Sequence, residues 1–396
     1  VEVATARSHA SASGRDCLDT VARMACENAP PDRVVDAGEF VRAFYAALPA
    51  ENLAATGQET LFAVAMAQWR FVQQRAEGEA KIRVYNPSPE IDGWRSPYTV
   101  VAMLNDDMPF IIDSTVAYLT GQHLAVHRLI HPVLRVQRDD NGDLTGLESV
   151  AGNGGAALES CVLVEIDRCN GESALLELER GLIGVLEDVR AVVAGWKPTI
   201  AHLARTVARF QNEPPPGVPE DESTEASAFL NWLADNHFTF LGYREYTIEI
   251  GSEGDFSYHV AADSGLGVLR DPAVRPLGAW SDKLPPEALE FYASPNLLII
   301  TKSAERSKVH RQVAMDSVGV KIHDAEGRVC GERRFLGLFT STAYSRSVTD
   351  IPLLRRKVDH VLAESKFTAG SHSQKALGHV LESLPRDELF QISEEN

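Results

Sequence analysis

Residues 294–344 read SPNLLIITKSAERSKVHRQVAMDSVGVKIHDAEGRVCGERRFLGLFTSTAY. Leu297, Leu298, Ile299 and Ile300 form a short unbroken apolar run, and Val318, Val320 and Ile322 alternate with polar residues. Val329 to Tyr344 reads as a long strand after the turn Asp324-Ala325-Glu326-Gly327, so the stretch predicts three strands of one sheet. Between the first two lie Lys302, Arg306, Lys308, His310 and Arg311, which read as a basic loop. Such a loop in an acidic chain meets a carboxylate, a phosphate, a protein surface or plain solvent. With Arg333 and Arg334 on the third strand, Lys302, Arg306, Lys308 and Arg311 form a candidate anion or interdomain contact.

Working outward, Phe238, Phe240, Tyr246, Ile248 and Ile250 share one parity, resumed by Phe256, Tyr258 and Val260 across Gly251 to Asp255; this predicts a hairpin with one buried face. Phe229, Leu230 and Leu233 precede it on a short helix. Five mostly antiparallel strands with a few helices make residues 228–346 a single-sheet α+β domain. Helices then follow, one begun by Pro352, another capped by Ser371 or Ser373 and ended by Pro385. On the other side, residues 211–227 carry Pro214-Pro215-Pro216 and the acidic run Glu220-Asp221-Glu222, the composition of an interdomain linker.

Residues 79–210 predict a second α+β unit. Lys81 to Tyr85 and Tyr98 to Leu104 read as strands, leading into the corner Asn105-Asp106-Asp107-Met108-Pro109-Phe110. Pro109 suits a first helical position, Asp106 and Asp107 suit its cap, and Ile112, Val116 and Leu119 supply a buried stripe. A strand from Leu124 to Gln137, a turn at Asp139 to Gly142, a glycine-rich loop from Ala151 to Ala156 and a strand from Cys161 to Ile166 follow. Leu175, Leu178, Leu182, Val185, Val189 and Val193 then step as a helix, broken at Trp196-Lys197-Pro198 before a second with Ile200, Leu203, Val207 and Phe210. Strand, helix, strand, strand, helix is the split βαβ order of an antiparallel sheet covered by helices. Backbone N–H groups at the helix start make Asn105, Asp106, Asp107, Met108 and Pro109 a candidate effector site. Residues 1–78 are helical after a frayed start at Val1 to Gly14, with Ala37–Leu48 and Glu51–Ala76 paired across Pro49.

The formal charge of -18 repels a phosphate backbone and argues against nucleic-acid binding. Five scattered cysteines without a CxxC argue against a disulfide framework or zinc knuckle and point to a reducing cytoplasm. No apolar run is long enough to span a membrane. Gly152-Asn153-Gly154-Gly155 and Gly265-Leu266-Gly267 lack the strand, helix and acidic residue of a dinucleotide site, and no GxxxxGK[ST], GxSxG or HExxH occurs. His123, His127 and His131 fall on a predicted strand, where four residues separate side chains by roughly 13 Å, too far for one metal. No catalytic, cofactor or metal site is expected. A start at Val1 and the unclosed end at Ser393-Glu394-Glu395-Asn396 suggest a piece excised from a longer chain.

Three phrases carry a resemblance: FLNWLADNHFTFLGYREY at 229–246, GERRFLGLFTS at 331–341 and PRDELFQI at 385–392. With Asp107-Met108-Pro109-Phe110 and Ser371-His372-Ser373, they resemble the N-terminal region of the large bacterial NAD-dependent glutamate dehydrogenases. The resemblance implies an ACT-like βαββα sandwich at 79–210 and a PAS-like antiparallel sheet domain at 228–346. It implies connecting helices at 347–396 leading to another ACT-like domain. It also implies catalysis and NAD elsewhere in the parent, contact with downstream domains of the same chain, a homo-oligomeric parent and an amino-acid effector. In ACT domains the effector corner is often D-x-P-G; here Phe110 stands at the glycine, so the segment is read as a regulatory and assembly segment, with an amino-acid or small-anion sensing module or a purely structural oligomerisation module as the alternatives.

Overall fold

In the computed structural model, which describes residues 2–30, 34–148, 156–250, 256–274, 292, 294, 296–368 and 370–391, the chain begins with four helices. They are α1 (Glu2–Asn28), α2 (Val34–Tyr45), α3 (Ala50–Thr56) and α4 (Gln58–Val72). Helix α1 includes residues 2–14 of the segment expected to fray, a stretch whose alanines favour helix. Gly57, at φ +81, divides the single helix expected after Pro49 into α3 and α4. The buried aromatic residues make the joint: Phe40 lies 5.5 Å from Phe44 and 5.3 Å from Trp69, and the Tyr45 hydroxyl donates to the Leu61 carbonyl at 2.8 Å.

These helices share a core with Val100, Ala102 and Leu104 of a six-stranded antiparallel sheet. Its strands are β1 (Lys81–Tyr85), β2 (Thr99–Asp106), β3 (Val126–Ile130), β4 (Val133–Arg138), β5 (Leu144–Glu148) and β6 (Ala157–Ile166). Their order is β1-β2-β6-β4-β5, with β3 also on β6. The register sets Val101 opposite Val164. The strand expected over 124–137 is two, β3 and β4, placed end to end along β6. Proline has no N–H for the ladder, so the chain breaks at His131-Pro132, and the Pro132 carbonyl still accepts from Cys161 N at 3.0 Å. Helix α5 (Ile111–Gly121) follows β2. The expected glycine-rich loop at 151–155 lies outside the described residues.

Helix α6 (Glu172–Asn212) corrects a predicted break: it is continuous, with Pro198 inside. A proline there costs about 3 kcal/mol. Buried Leu178, Leu182, Val185 and Val189 before it and Leu203, Val207 and Phe210 after it outweigh that loss. The chain divides into two units, residues 1–187 and 188–396, with the division inside this helix.

In the second unit the last eight residues of the predicted linker, 220–227, belong to helix α7 (Glu220–Trp232), whose first turn holds the acidic run. Carboxylates favour a helix N-terminus, and Glu222 accepts from Leu297 N while Glu225 accepts from Leu353 N. A wide turn, Leu233–His237, then sets Asn236 at φ 58 and leads into a sheet. The strands are β7 (Phe238–Ile250), β8 (Phe256–Val260), β9 (Leu266–Gly267), β10 (Leu298–Arg306), β11 (Ala314–His323) and β12 (Val329–Phe339). The order is β10-β11-β12-β7-β8, with β9 on β7. The turn expected at 251–255 lies outside the described residues. The one at Asp324 to Gly327 forms as expected, with the Asp324 carboxylate accepting from Glu326 N and Arg328 N. Phe240, Tyr243, Val318, Val320 and Phe335 turn one face of the sheet onto Leu203, Val207, Phe210, Phe229 and Leu230.

The third strand stops at Phe339, short of Tyr344, because Thr340 caps α8 (Ser341–Ser345) through Ala343 N. Helices α9 (Leu354–Glu364), α10 (His372–Ser383) and α11 (Arg386–Gln391) complete the described chain, and Ser371 caps α10 as expected. Phe390 of α11 packs 5.2 Å from Phe229 and 5.3 Å from Phe339. The architecture is α+β, with two antiparallel sheets and helical segments before and after them.

Candidate functional site

The corner after β2 is built differently from its expected capped start. Helix α5 begins at Ile111, Pro109 lies in the preceding turn, and Phe110 at φ +73 occupies the left-handed region without a side-chain cap. That backbone geometry is what a glycine supplies without cost; a phenylalanine carries about 1–2 kcal/mol of strain there. The two aspartates are not caps because they are engaged elsewhere. Asp106 Oδ1 accepts from Arg75 Nη2 at 2.6 Å, and Asp107 Oδ1 accepts from the Ser160 hydroxyl at 2.7 Å. Since Ser160 gives its only proton to Asp107, its oxygen accepts from His131 Nε2, 2.9 Å away. Asn105 is buried and donates to the Asp106 carbonyl, while Met108 is half-buried and Pro109 exposed.

Beneath the corner lies an ion cluster that local spacing does not reveal. Glu159, fully buried on β6, accepts from Arg75 Nε and Nη2 at 3.0 and 2.9 Å. Its two oxygens accept from Arg138 Nε and Nη2, each at 2.7 Å. Remaining donors go to backbone: Arg75 Nη1 to Glu79 O, Arg138 Nη1 to Gly142 O and Nη2 to Val72 O. Gly142 is required here, since at φ +81 any Cβ would sit 2.2 Å from the Arg75 carbonyl oxygen. The corner is thus tied to α4, the β4–β5 turn and β6.

The basic segment corrects a second expectation. Lys302 lies within β10, not in a loop, and its ammonium contacts Asp316 at 2.6 Å and Asp387 of α11 at 2.9 Å. Arg306 donates to the Gln312 carbonyl and Arg311 to the Phe339 carbonyl. Lys308 remains 65% exposed, 3.9 Å from Asp188. Arg333 and Arg334 point to opposite faces of β12, as neighbours on a strand must. Arg333 reaches Glu245 at 3.3 Å, beside Tyr243, on which His202 stacks at 4.1 Å. Arg334 is buried on the other face and holds both Glu332 oxygens. The six cations therefore do not converge on one patch.

Burial of Arg334 exposes a site the linear reading missed. The sheet's inner face, the one turned away from Phe229 and Leu230, carries buried Arg244, Lys321, Glu332 and Arg334 on β7, β11 and β12, and the Tyr292 hydroxyl donates to Glu332 Oε2 at 2.8 Å. The signal was present as the i, i+2 pair Glu332 and Arg334 in a strand otherwise flanked by apolar residues. Gly267 is needed for the approach of β9 to β7, where a Cβ would lie 2.1 Å from Leu241 O. Among the described residues no cluster of histidine, cysteine and acidic side chains could hold a metal, and no helix is long and apolar enough to cross a membrane.

Burial holds His131, His202 and His323 below the usual histidine value. A folded-state pKa below the unfolded value near 6.5 means that the unfolded chain takes up protons first. This contribution to stability is present above that value and is lost as pH falls below it. Chemical denaturation should show the unfolding free energy falling from pH 7.5 to 5.5. A rise over that interval would contradict the assignment.

Residues 40–182 match the family model "Glutamate dehydrogenase, ACT1 domain", and residues 351–396 match "Glutamate dehydrogenase, helical motif 1". The chain is 36% identical over 362 residues, 91% of its length, to an NAD-specific glutamate dehydrogenase of Halomonas elongata. It is 36% identical over 89% of its length to one from Pseudomonas aeruginosa, and 27% identical over 83% to one from Mycobacterium tuberculosis. It spans about a fifth of these relatives, covering 22%, 22% and 19% of them respectively.

Proposed function

We propose that this chain, which belongs to the NAD-specific glutamate dehydrogenase family in its N-terminal region, is a regulatory and assembly segment of a longer enzyme. The complete enzyme would oxidise L-glutamate to 2-oxoglutarate and ammonia with NAD, using residues outside this segment. The observation that carries the reading is the match of residues 40–182 to the ACT1 domain together with the state of its corner. Asp106 and Asp107 are held by Arg75 and Ser160, and Phe110 takes the left-handed position. An ACT fold whose effector corner is tied to its own framework suits positioning and contact with downstream domains. The exposed Lys308 offers a contact for an acidic neighbour. The pure chain, assayed with glutamate and NAD, should give no NADH; sustained turnover would overturn the proposal.

A second reading, effector binding at Asn105 to Pro109, keeps the helix start as the recognition element. Titration with amino acids against an Asp107→Asn variant separates the two, since effector binding at the corner should change with that substitution.

A further inference from the structure

We propose that the inner face of the second unit's sheet binds a small organic carboxylate, held by Arg334 Nη1 and the Tyr246 hydroxyl. Arg334 is 2% exposed and Tyr246 3% exposed. Arg334 gives Nε and Nη2 to Glu332, both at 2.8 Å, while Nη1 has no hydrogen-bond partner. The Tyr246 hydroxyl is likewise buried without a partner. The two side chains are neighbours, with the Arg334 guanidinium carbon 5.3 Å from the centre of the Tyr246 ring. Leaving buried donors unmatched is costly, the more so on a charged group.

Charge selects the class of ligand. Directly across the ladder from Arg334 stands Arg244, also buried, whose guanidinium donates to the neutral carbonyls of Leu269, Asp271 and Val274. Glu332 is shared with Arg334, so this pair of arginines carries more positive charge than Glu332 offsets. An added carboxylate would accept from Nη1 in the geometry arginine favours and restore the balance. The stacked rings of Tyr246 and Tyr258, 4.3 Å apart, provide an apolar wall that an organic acid can use and an inorganic anion cannot. A pocket of about 720 Å³ is lined by Ile248, Tyr292, Ser294, His323 and Val329, and the hydroxyl of Tyr292, one of these lining residues, donates to Glu332.

The test is titration calorimetry of the full 396-residue chain with acetate, succinate, an α-amino acid, an α-oxo acid and inorganic phosphate. At least one organic acid should saturate with a Kd of about 1 mM or tighter. Tyr246→Phe, which keeps the ring, should weaken it roughly tenfold, with the melting temperature of the free protein little changed. Asp107→Asn should leave this binding unaltered. The proposal fails if no organic acid saturates by about 10 mM, if phosphate binds as well as the best organic acid, or if Tyr246→Phe binds like the parent. The assignment does not rest on the regulatory reading, which NADH formation by the pure chain would defeat whatever the calorimetry gives.

Discussion

Replacing Glu159 by alanine is expected to lower the unfolding free energy by about 3–5 kcal/mol. The cost is large because the substitution removes more than one pair. Arg75, with a side chain 4% exposed, and Arg138, at 11%, both point at this carboxylate. Without it, among the described residues Arg75 keeps only the half-exposed Asp106 as a charged partner, and Arg138 keeps only backbone carbonyls. Neither guanidinium can leave the interior without pulling on α4 or the β4–β5 turn. Urea denaturation followed by circular dichroism measures the loss. Glu159→Gln, which keeps the size and one acceptor oxygen, should recover only part of it. A loss below about 1 kcal/mol, the level of an exposed pair, would show that the cluster is relaxed by solvent.

Arg334→Leu should cost a similar amount, about 3–5 kcal/mol, for the complementary reason that it strands a buried carboxylate. Glu332 would keep only the Tyr292 hydroxyl as its hydrogen-bond donor among the partners described above, in a site where the Arg334 and Glu332 side chains are 2% and 0% exposed. The informative measurement is a double-mutant cycle with Glu332→Leu. Removing both charges should recover much of the stability, since paired burial of ions is near break-even against apolar side chains of similar volume. Additive losses would mean that each residue is held by its surroundings independently of the other. Gly319 limits how far Glu332 can move in response, because its missing side chain is the space the carboxylate fills; a Cβ there would lie 2.2 Å from Glu332 Oε1.

What could be read from residues alone follows from the range of the forces involved. The stripe Leu178, Leu182, Val185 and Val189 and the Asp324 to Gly327 turn depend on neighbours within a few residues, and both appear where the pattern placed them. Pro198 and the acidic start of α7 misled because local propensity is weak beside packing: buried Leu203 and Phe229 decide those segments. The basic residues misled in another way. A lysine or arginine in a strand reads as solvated until its partner is known, and Arg75 meets Glu159 across 84 residues of sequence. No window of spacing contains both. The corner is intermediate. Its strand-to-helix change was legible, yet the capture of Asp106 and Asp107 was not, because Arg75 and Ser160 arrive from α4's end and from β6.

The order of strands in the second sheet bears on how the chain reaches this structure. Strand β7 is made early and its long partner β12 late, yet the two form an antiparallel ladder from Gly331 opposite Thr247 to Phe339 opposite Phe238, with one register shift between Leu336 and Gly337. During synthesis, then, one hydrogen-bonding edge of Phe238 to Thr247 waits unpaired until nearly all of the sheet has left the ribosome. Such distant pairing slows folding, and an open strand edge invites association between nascent chains. Yield of soluble protein should therefore depend on chaperone supply and growth temperature more steeply than the stability of the finished fold would suggest.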